Sequence, residues 1–230
     1  MAAAYAVQQE LAQIRLAAGA HVVGRKIGLT SAAVQNQLGV EQPDFGVLFA
    51  DMDVSDLDEV PMAGLLQPRI EAEVAFVLGA DLADGDLGPD QIRAAVAYAV
   101  AALEIVDSRV AGWDITIADT VADNASSARF VLGARRVGLD AFEPVDAVME
   151  LSVDGEVVSR GTGVACLGDP LLALAWLARA TRDFGDPLRA GQVVLSGALG
   201  PMVPVRPGIA VTATVSGLGD VDTRFAPAAS

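Results

Sequence analysis

One lysine, Lys26, stands among fourteen arginines in this 230-residue chain. Arginine serves wherever the sequence needs a surface cation, so the exception marks a place suited to a compact ammonium that can give up its proton. Its neighbours, Gly24-Arg25-Lys26-Ile27-Gly28, include two glycines that let another group come close to the backbone. A second concentration of chemistry lies in Arg69–Leu78, where a period of two puts Glu71 and Glu73 on one face with Ala75 and Val77. Alternate residues on a strand lie roughly 6.6 Å apart, and two buried carboxylates at that spacing repel unless a cation sits between them. Spacing alone also allows an ordinary solvated face on a half-exposed strand. Glu104 interrupts the apolar run Ala102–Asp107 and is the best third carboxylate, with Asp107 as its rival. An all-oxygen site of this kind suits Mg²⁺ or Mn²⁺.

The rest of the composition narrows the chemistry further. With one histidine, His21, and one cysteine, Cys166, neither a thiolate zinc site nor an internal disulfide can form. His21 has no nucleophile motif beside it, so acid and base work falls to carboxylates, the lysine or a metal-bound water. Cys166 reads as a small buried hydrophobe. A formal charge of −15 repels a phosphate backbone and argues against nucleic acid. The longest run without polar side chains, Ala94–Leu103, is half of what a membrane helix needs. No basic start precedes an apolar stretch, so the expectation is a cytoplasmic enzyme. The glycines at 161, 163 and 168 do not match dinucleotide spacing.

The elements that must hold these residues can be read from their patterns. Residues 3–18 suggest a helix stopping at Gly19, followed by a strand over His21–Ile27. Thr30 can cap a short helix through Leu38, and Pro43–Met52 reads as a loop or irregular strand carrying Asp44. A strand over Arg69–Leu78, an acidic loop to Gly88, a helix over Pro89–Ala101 and a strand over Leu103–Asp107 come next. Asp154-Gly155 between two alternating runs is a strong hairpin signal. Asp169-Pro170 opens a helix that runs to about Phe184. Strands over Gln192–Ser196, Ile209–Val215 and Val221–Phe225 complete one β-rich α+β domain spanning residues 1–230, its hairpins favouring antiparallel or mixed sheets.

Four stretches in order, Gly24–Ser31, Gln67–Glu73, Thr120–Ser126 and Leu195–Met202, resemble the 2-hydroxypenta-2,4-dienoate hydratases of the fumarylacetoacetate hydrolase superfamily. The resemblance covers nearly the whole chain from about Ala3. It implies a mixed β-sandwich roll with peripheral helices, a metal triad on Glu71, Glu73 and Glu104, an active-site Lys26 and a substrate-binding Ser126. It also implies hydration of 2-hydroxypenta-2,4-dienoate to 4-hydroxy-2-oxopentanoate in meta-cleavage degradation of aromatic compounds. Relatives carry a further N-terminal helical segment, which is expected to be lacking here. A homo-oligomer is expected, with possible association with other enzymes of the route.

The alternatives are a 4-oxalocrotonate-type decarboxylase of the same family and a non-catalytic partner subunit. The segment Gln42–Gly46 resembles the hydratase branch through its acid, Asp44. A hydratase has to position and deprotonate a water that a decarboxylase excludes, which makes Asp44 the candidate for that role.

Overall fold

The computed structural model describes residues 1–31, 35 and 42–228. The chain opens with helix α1 (Ala2–Ala17), which ends before Gly19 in the left-handed region, and continues into strand β1 (Val22–Gly28). Residues 44–49 form strand β2 (Asp44–Phe49), buried throughout and paired antiparallel with β1. This stretch is therefore regular strand rather than irregular, because β1 supplies a full ladder for its backbone. The helix expected from Thr30 to Leu38 falls largely outside the described residues.

Strand β3 (Arg69–Leu78) and strand β4 (Val96–Val106) form a long antiparallel pair at the centre of the larger sheet. Between them lies the short helix α2 (Pro89–Ala95). The helix expected over Pro89–Ala101 thus ends at Ala95, and its second half is strand. Alanine-rich residues 97–102 favour a helix by propensity, but the segment pairs with β3 along its length and on its other side bridges Val137 at Ala99 and meets strand β5 (Ser127–Leu132) at Ala102. Burial inside a ladder outweighs a propensity difference of a few tenths of a kcal/mol per residue.

After helix α3 (Ile117–Ala122) and β5 comes the hairpin of β6 (Val148–Val153) and β7 (Glu156–Thr162). Asp154 and Gly155 both take positive φ at its turn, as a two-residue primed turn demands. Helix α4 (Pro170–Asp183) starts where Asp169 accepts a hydrogen bond from the Leu171 N–H at 2.8 Å, with Pro170 in the first turn. Strands β8 (Val193–Ala198), β9 (Val203–Pro204), β10 (Ala210–Val215) and β11 (Gly219–Arg224) follow.

Among the described residues the strands form two sheets. The larger runs β2-β1-β8-β3-β4-β5 with β9 on β3, and the smaller runs β11-β10-β6-β7. Only β1 and β8 pair in parallel, so the large sheet is mixed as expected. Ile70, Val74 and Phe76 on one face of β3 join Met149, Leu151, Val211 and Val221 of the small sheet in the main core. Each such side chain fully removed from water contributes roughly 1.5–3 kcal/mol. The stretch Gly163–Asp183 is long and apolar enough to cross a membrane by length and composition. Within it, however, α4 buries Ala173, Leu174, Leu177 and Ala178 in the same core.

The opposite face of the large sheet carries the chemistry. Starting from β1 and counting rungs across the sheet, Lys26 lies opposite Leu195, which in turn lies opposite Ala75. One rung on comes Glu73, the next holds Glu71 opposite Glu104, and the next holds Arg69 opposite Val106.

Candidate active site

Burial settles which kind of strand face Glu71 and Glu73 occupy. β3 is an interior strand, paired with β4 on one side and with β8 and β9 on the other. Glu73 is 0% exposed, Glu104 1% and Glu71 9%, so none stands on a solvated edge. One carboxylate oxygen from each of the three lies within 4.8 Å of the others. Oε1 of Glu73 and Oε2 of Glu104 are buried without a hydrogen-bond partner among the described residues. Buried carboxylate oxygens in this condition are costly, and a hard divalent cation is the partner that three of them fit best.

Each glutamate is aimed by a particular neighbour. Glu73 Oε2 accepts a hydrogen bond from the Gly197 N–H at 2.7 Å. Gly197 has φ +109°, and a Cβ there would lie 2.5 Å from Thr30 Oγ1, so only glycine lets the backbone turn this N–H toward the cluster. Glu104 Oε1 takes the Ser127 hydroxyl at 3.1 Å and the Lys26 ammonium at 3.2 Å. Asp107, the rival third carboxylate, is buried elsewhere. It accepts the N–H groups of Leu66 and Gln67 at 2.7 and 2.8 Å and so organises the loop before β3.

Electrostatics follow from this crowding. Burial pushes the Glu71 carboxyl up to about 7, the Glu104 charge adding to the shift and Lys26 opposing it. Glu73 is raised as well, by burial and then by Glu104 and Glu71. Burial raises Asp44 to about 6, with Lys26 again opposing. For Lys26 burial acts downward, but Glu104, Asp44, Glu71 and Glu73 together outweigh it and hold the ammonium charged.

Asp44 reaches the same site from β2, where it pairs with Gly28 of β1. A Cβ on Gly28 would collide with Asp44 Oδ1 and lie 3.5 Å from Lys26 Nζ, so this glycine allows the close approach that its neighbourhood in the sequence suggested. Asp44 is 2% exposed, and its Oδ1 has no hydrogen-bond partner among the described residues.

Ser126 arrives by a different device. Asn124, Ala125 and Ser126 all take the left-handed conformation, with φ of 55°, 53° and 55°. The turn is held because the Asn124 side-chain amide bonds both the N–H and the C=O of Val47 on β2, at 2.8 and 2.9 Å. The Ser126 hydroxyl meets Thr120 Oγ1 at 3.1 Å. Its carbonyl accepts from the Asp107 N–H at 2.8 Å, which places it at the end of β4.

Lys26, Asp44, Glu71 and Ser126 line one cavity of about 350 Å³, and Glu73 and Glu104 lie buried against Glu71. The structure thus brings together all six residues singled out from the sequence. It adds three that the sequence reading missed: Arg69 and Thr120 on the cavity wall, and Ser127 behind Glu104. Arg69 carried a readable signal, because it shares the period-two face of Glu71 and Glu73. Trp113 also lines the cavity, with the Arg69 guanidinium 4.6 Å from its ring centroid. His21 is exposed, and Cys166 is buried with its thiol donating to the Ser196 carbonyl at 2.8 Å.

Comparison with known proteins gives this cavity a context. A 2-keto-4-pentenoate hydratase of Burkholderia vietnamiensis is 55% identical over 96% of this chain and 85% of its own length. One of Paraburkholderia phymatum is 56% identical, again over 96% and 85%. The solved structure of 4-oxalocrotonate decarboxylase from Pseudomonas putida G7, complexed with magnesium and adipate, superposes with a TM-score of 0.93 at 37% identity. It covers 97% of this chain, which spans 85% of that one. The family model described as fumarylacetoacetate (FAA) hydrolase C-terminal matches residues 21–226, from the strand that carries the lone lysine to the end of the smaller sheet. The chain belongs to the fumarylacetoacetate hydrolase family.

Proposed function

We propose that this protein is a metal-dependent hydro-lyase that hydrates 2-hydroxypenta-2,4-dienoate to 4-hydroxy-2-oxopentanoate in meta-cleavage degradation of aromatic compounds. The observation that carries the reading is a buried carboxylate triad with oxygens left unpartnered among the described residues, whose Glu71 lines a cavity together with one ammonium and one further acid. The names of the relatives that are 55% and 56% identical agree with it.

Glu71, Glu73 and Glu104 would hold Mg²⁺ or Mn²⁺. When bound there, such an ion supplies positive charge and open positions for the carboxylate and 2-oxygen of a 2-oxo acid. The Lys26 ammonium delivers a proton at C5 and takes up the 2-hydroxyl proton in its place, holding the 2-oxygen by a hydrogen bond and giving the 2-oxo-3-enoate. The Asp44 carboxylate then takes a proton from water as the water oxygen bonds to C4, and that proton passes through Lys26 to C3, so both side chains end as they began. The Ser126 hydroxyl donates to the substrate carboxylate. Cavity walls of Leu29, Val106 and Ile115 exclude bulk water from the conjugated chain.

Asp44 also argues against the decarboxylase reading. A buried acid with an unpartnered oxygen suits holding a water, and the decarboxylase comparison stands at 37% identity against 55% for a hydratase. A non-catalytic partner subunit has no use for buried charges that cost stability. We take residues 1–230 as one catalytic unit working as a homo-oligomer in the cytoplasm, alongside other enzymes of the route. A lone reduced cysteine agrees with that compartment.

The test follows loss of dienoate absorbance with Mg²⁺ or Mn²⁺, with EDTA, and in Glu73→Ala. EDTA and the substitution should each abolish turnover. Asp44→Asn should accumulate the 2-oxo-3-enoate, seen by NMR, with hydration slowed about 10²–10⁴-fold. Turnover that survives both EDTA and Glu73→Ala overturns the mechanism.

A further inference from the structure

Charge counting over the buried cluster at the cavity exposes a shortfall that the residues above do not meet. Asp44, Glu71, Glu73 and Glu104 are four buried carboxylates, and Lys26 is the one buried ammonium among them. Even a divalent cation leaves this set one charge negative, and the substrate is itself an anion. Lys26 cannot make up the difference, because its charge is already in that count.

Arg69 is the other cation on the cavity wall. Among the described residues it forms no ion pair. Its guanidinium lies over the Trp113 ring, and its one hydrogen-bond contact is a weak one, to the Met202 sulfur at 3.9 Å. Trp113 is itself fixed, its indole N–H donating to the Gln67 carbonyl at 3.0 Å. The guanidinium therefore rests on a rigid aromatic surface, which orients it while leaving its donors free for an anion.

Direction decides which part of the substrate Arg69 meets. The Lys26 rung and the Arg69 rung lie on opposite sides of the Glu73 and Glu71–Glu104 rungs. Lys26 and Asp44 serve the C2–C5 chain, where the 2-oxygen, the protons and the water are handled, so the 1-carboxylate must point the other way. Ser126 lies at that same end, its carbonyl held by Asp107 next to Val106, the residue opposite Arg69. We propose that Arg69 is a substrate-binding residue that receives the 1-carboxylate of the 2-oxo acid together with Ser126, and so makes the site select acids over neutral analogues. This rests on the 2-oxo acid reading above, with a planar fork matched to a carboxylate.

Calorimetry of the Mn²⁺-loaded protein with the unreactive probes 2-oxopentanoate and 2-oxopentanamide tests it. The wild-type protein should bind the acid well and the amide poorly. Arg69→Met should weaken the acid roughly 10–100-fold and leave the amide unchanged, and Arg69→Lys should fall between the two. Mn²⁺ affinity should stay as it was. Unaltered acid affinity in Arg69→Met overturns the proposal, as does an equal loss for acid and amide or a loss of Mn²⁺ binding. A wild-type protein that binds the acid but turns over no dienoate would instead defeat the hydratase reading and leave Arg69 in place.

Discussion

Lys26 and Glu104 form a buried ion pair, Nζ to Oε1 at 3.2 Å, with side chains only 4% and 1% exposed. The pair joins β1 to β4 across two intervening strands, β8 and β3, and sets the ammonium among four carboxylates. Lys26→Met should slow turnover with Mg²⁺ roughly 10²–10³-fold, because the donor to the developing oxyanion is gone. Metal-free protein should lose about 3 kcal/mol in urea unfolding, since breaking a buried pair leaves its partner uncompensated. Lys26→Arg should not restore kcat, because guanidinium does not give up its proton.

Metal should be a structural partner of the fold as well as a cofactor. Adding Mg²⁺ or Mn²⁺ at a hundredfold excess over its Kd should stabilise EDTA-treated protein by about 2.7 kcal/mol. Differential scanning calorimetry should show this as a rise in Tm. Glu73→Gln should abolish the rise while the protein remains folded. A Tm that ignores the metal in the unsubstituted protein would count against the triad.

Gly197 is the backbone donor to Glu73 and occupies a left-handed position against Thr30. Gly197→Ala should destabilise the protein by about 1–3 kcal/mol through strain. It should also raise the Kd for Mn²⁺, measured by electron paramagnetic resonance, because the N–H no longer aims the carboxylate. Ser216→Ala lies far from the cluster, where the hydroxyl accepts only from the Val148 N–H, and should leave Mn²⁺ binding unaltered.

Helix α1 ties the two segments that carry Asp44 and Ser126. The Gln8 amide donates to the Phe45 carbonyl at 2.9 Å and to the Val121 carbonyl at 2.8 Å, both buried. Gln8→Ala should cost roughly 1–3 kcal/mol for the acceptors left unpaired, measured by urea unfolding. Turnover should also fall, because β2 and α3 lose their common tether beside the cavity.

Cys166 should give stability a pH dependence on the alkaline side. Burial, with the nearby Glu73 charge adding to it, raises the thiol from 9.0 to about 12. The unfolded thiol ionises near pH 9 while the folded one stays protonated, so the unfolded state binds fewer protons and stability falls as pH rises between these values. The slope from this group approaches about 1.4 kcal/mol per pH unit. Cys166→Ala should show a shallower decline from pH 9 to 11, and iodoacetamide at pH 8 should label the native thiol only after unfolding.

Sequence patterns alone located much of this site. A single lysine among arginines, period-two glutamates and a carboxylate interrupting an apolar strand are local signals, and each side chain proved buried at the cavity or in the triad. Capping and turn residues likewise marked α4 and the Asp154-Gly155 hairpin, because those signals act within a few residues of where they occur. Tertiary structure decided the rest. Alternation could not separate a solvated edge from an interior strand, since that depends on β4, β8 and β9, which come from elsewhere in the chain. Residues 96–102 lost their helical preference to the ladder they form with β3. Alternation already put Arg69 on the face of Glu71 and Glu73, but its place across the carboxylate rungs from Lys26 was decided by the sheet, because the direction of a bound anion is a property of the assembled strands.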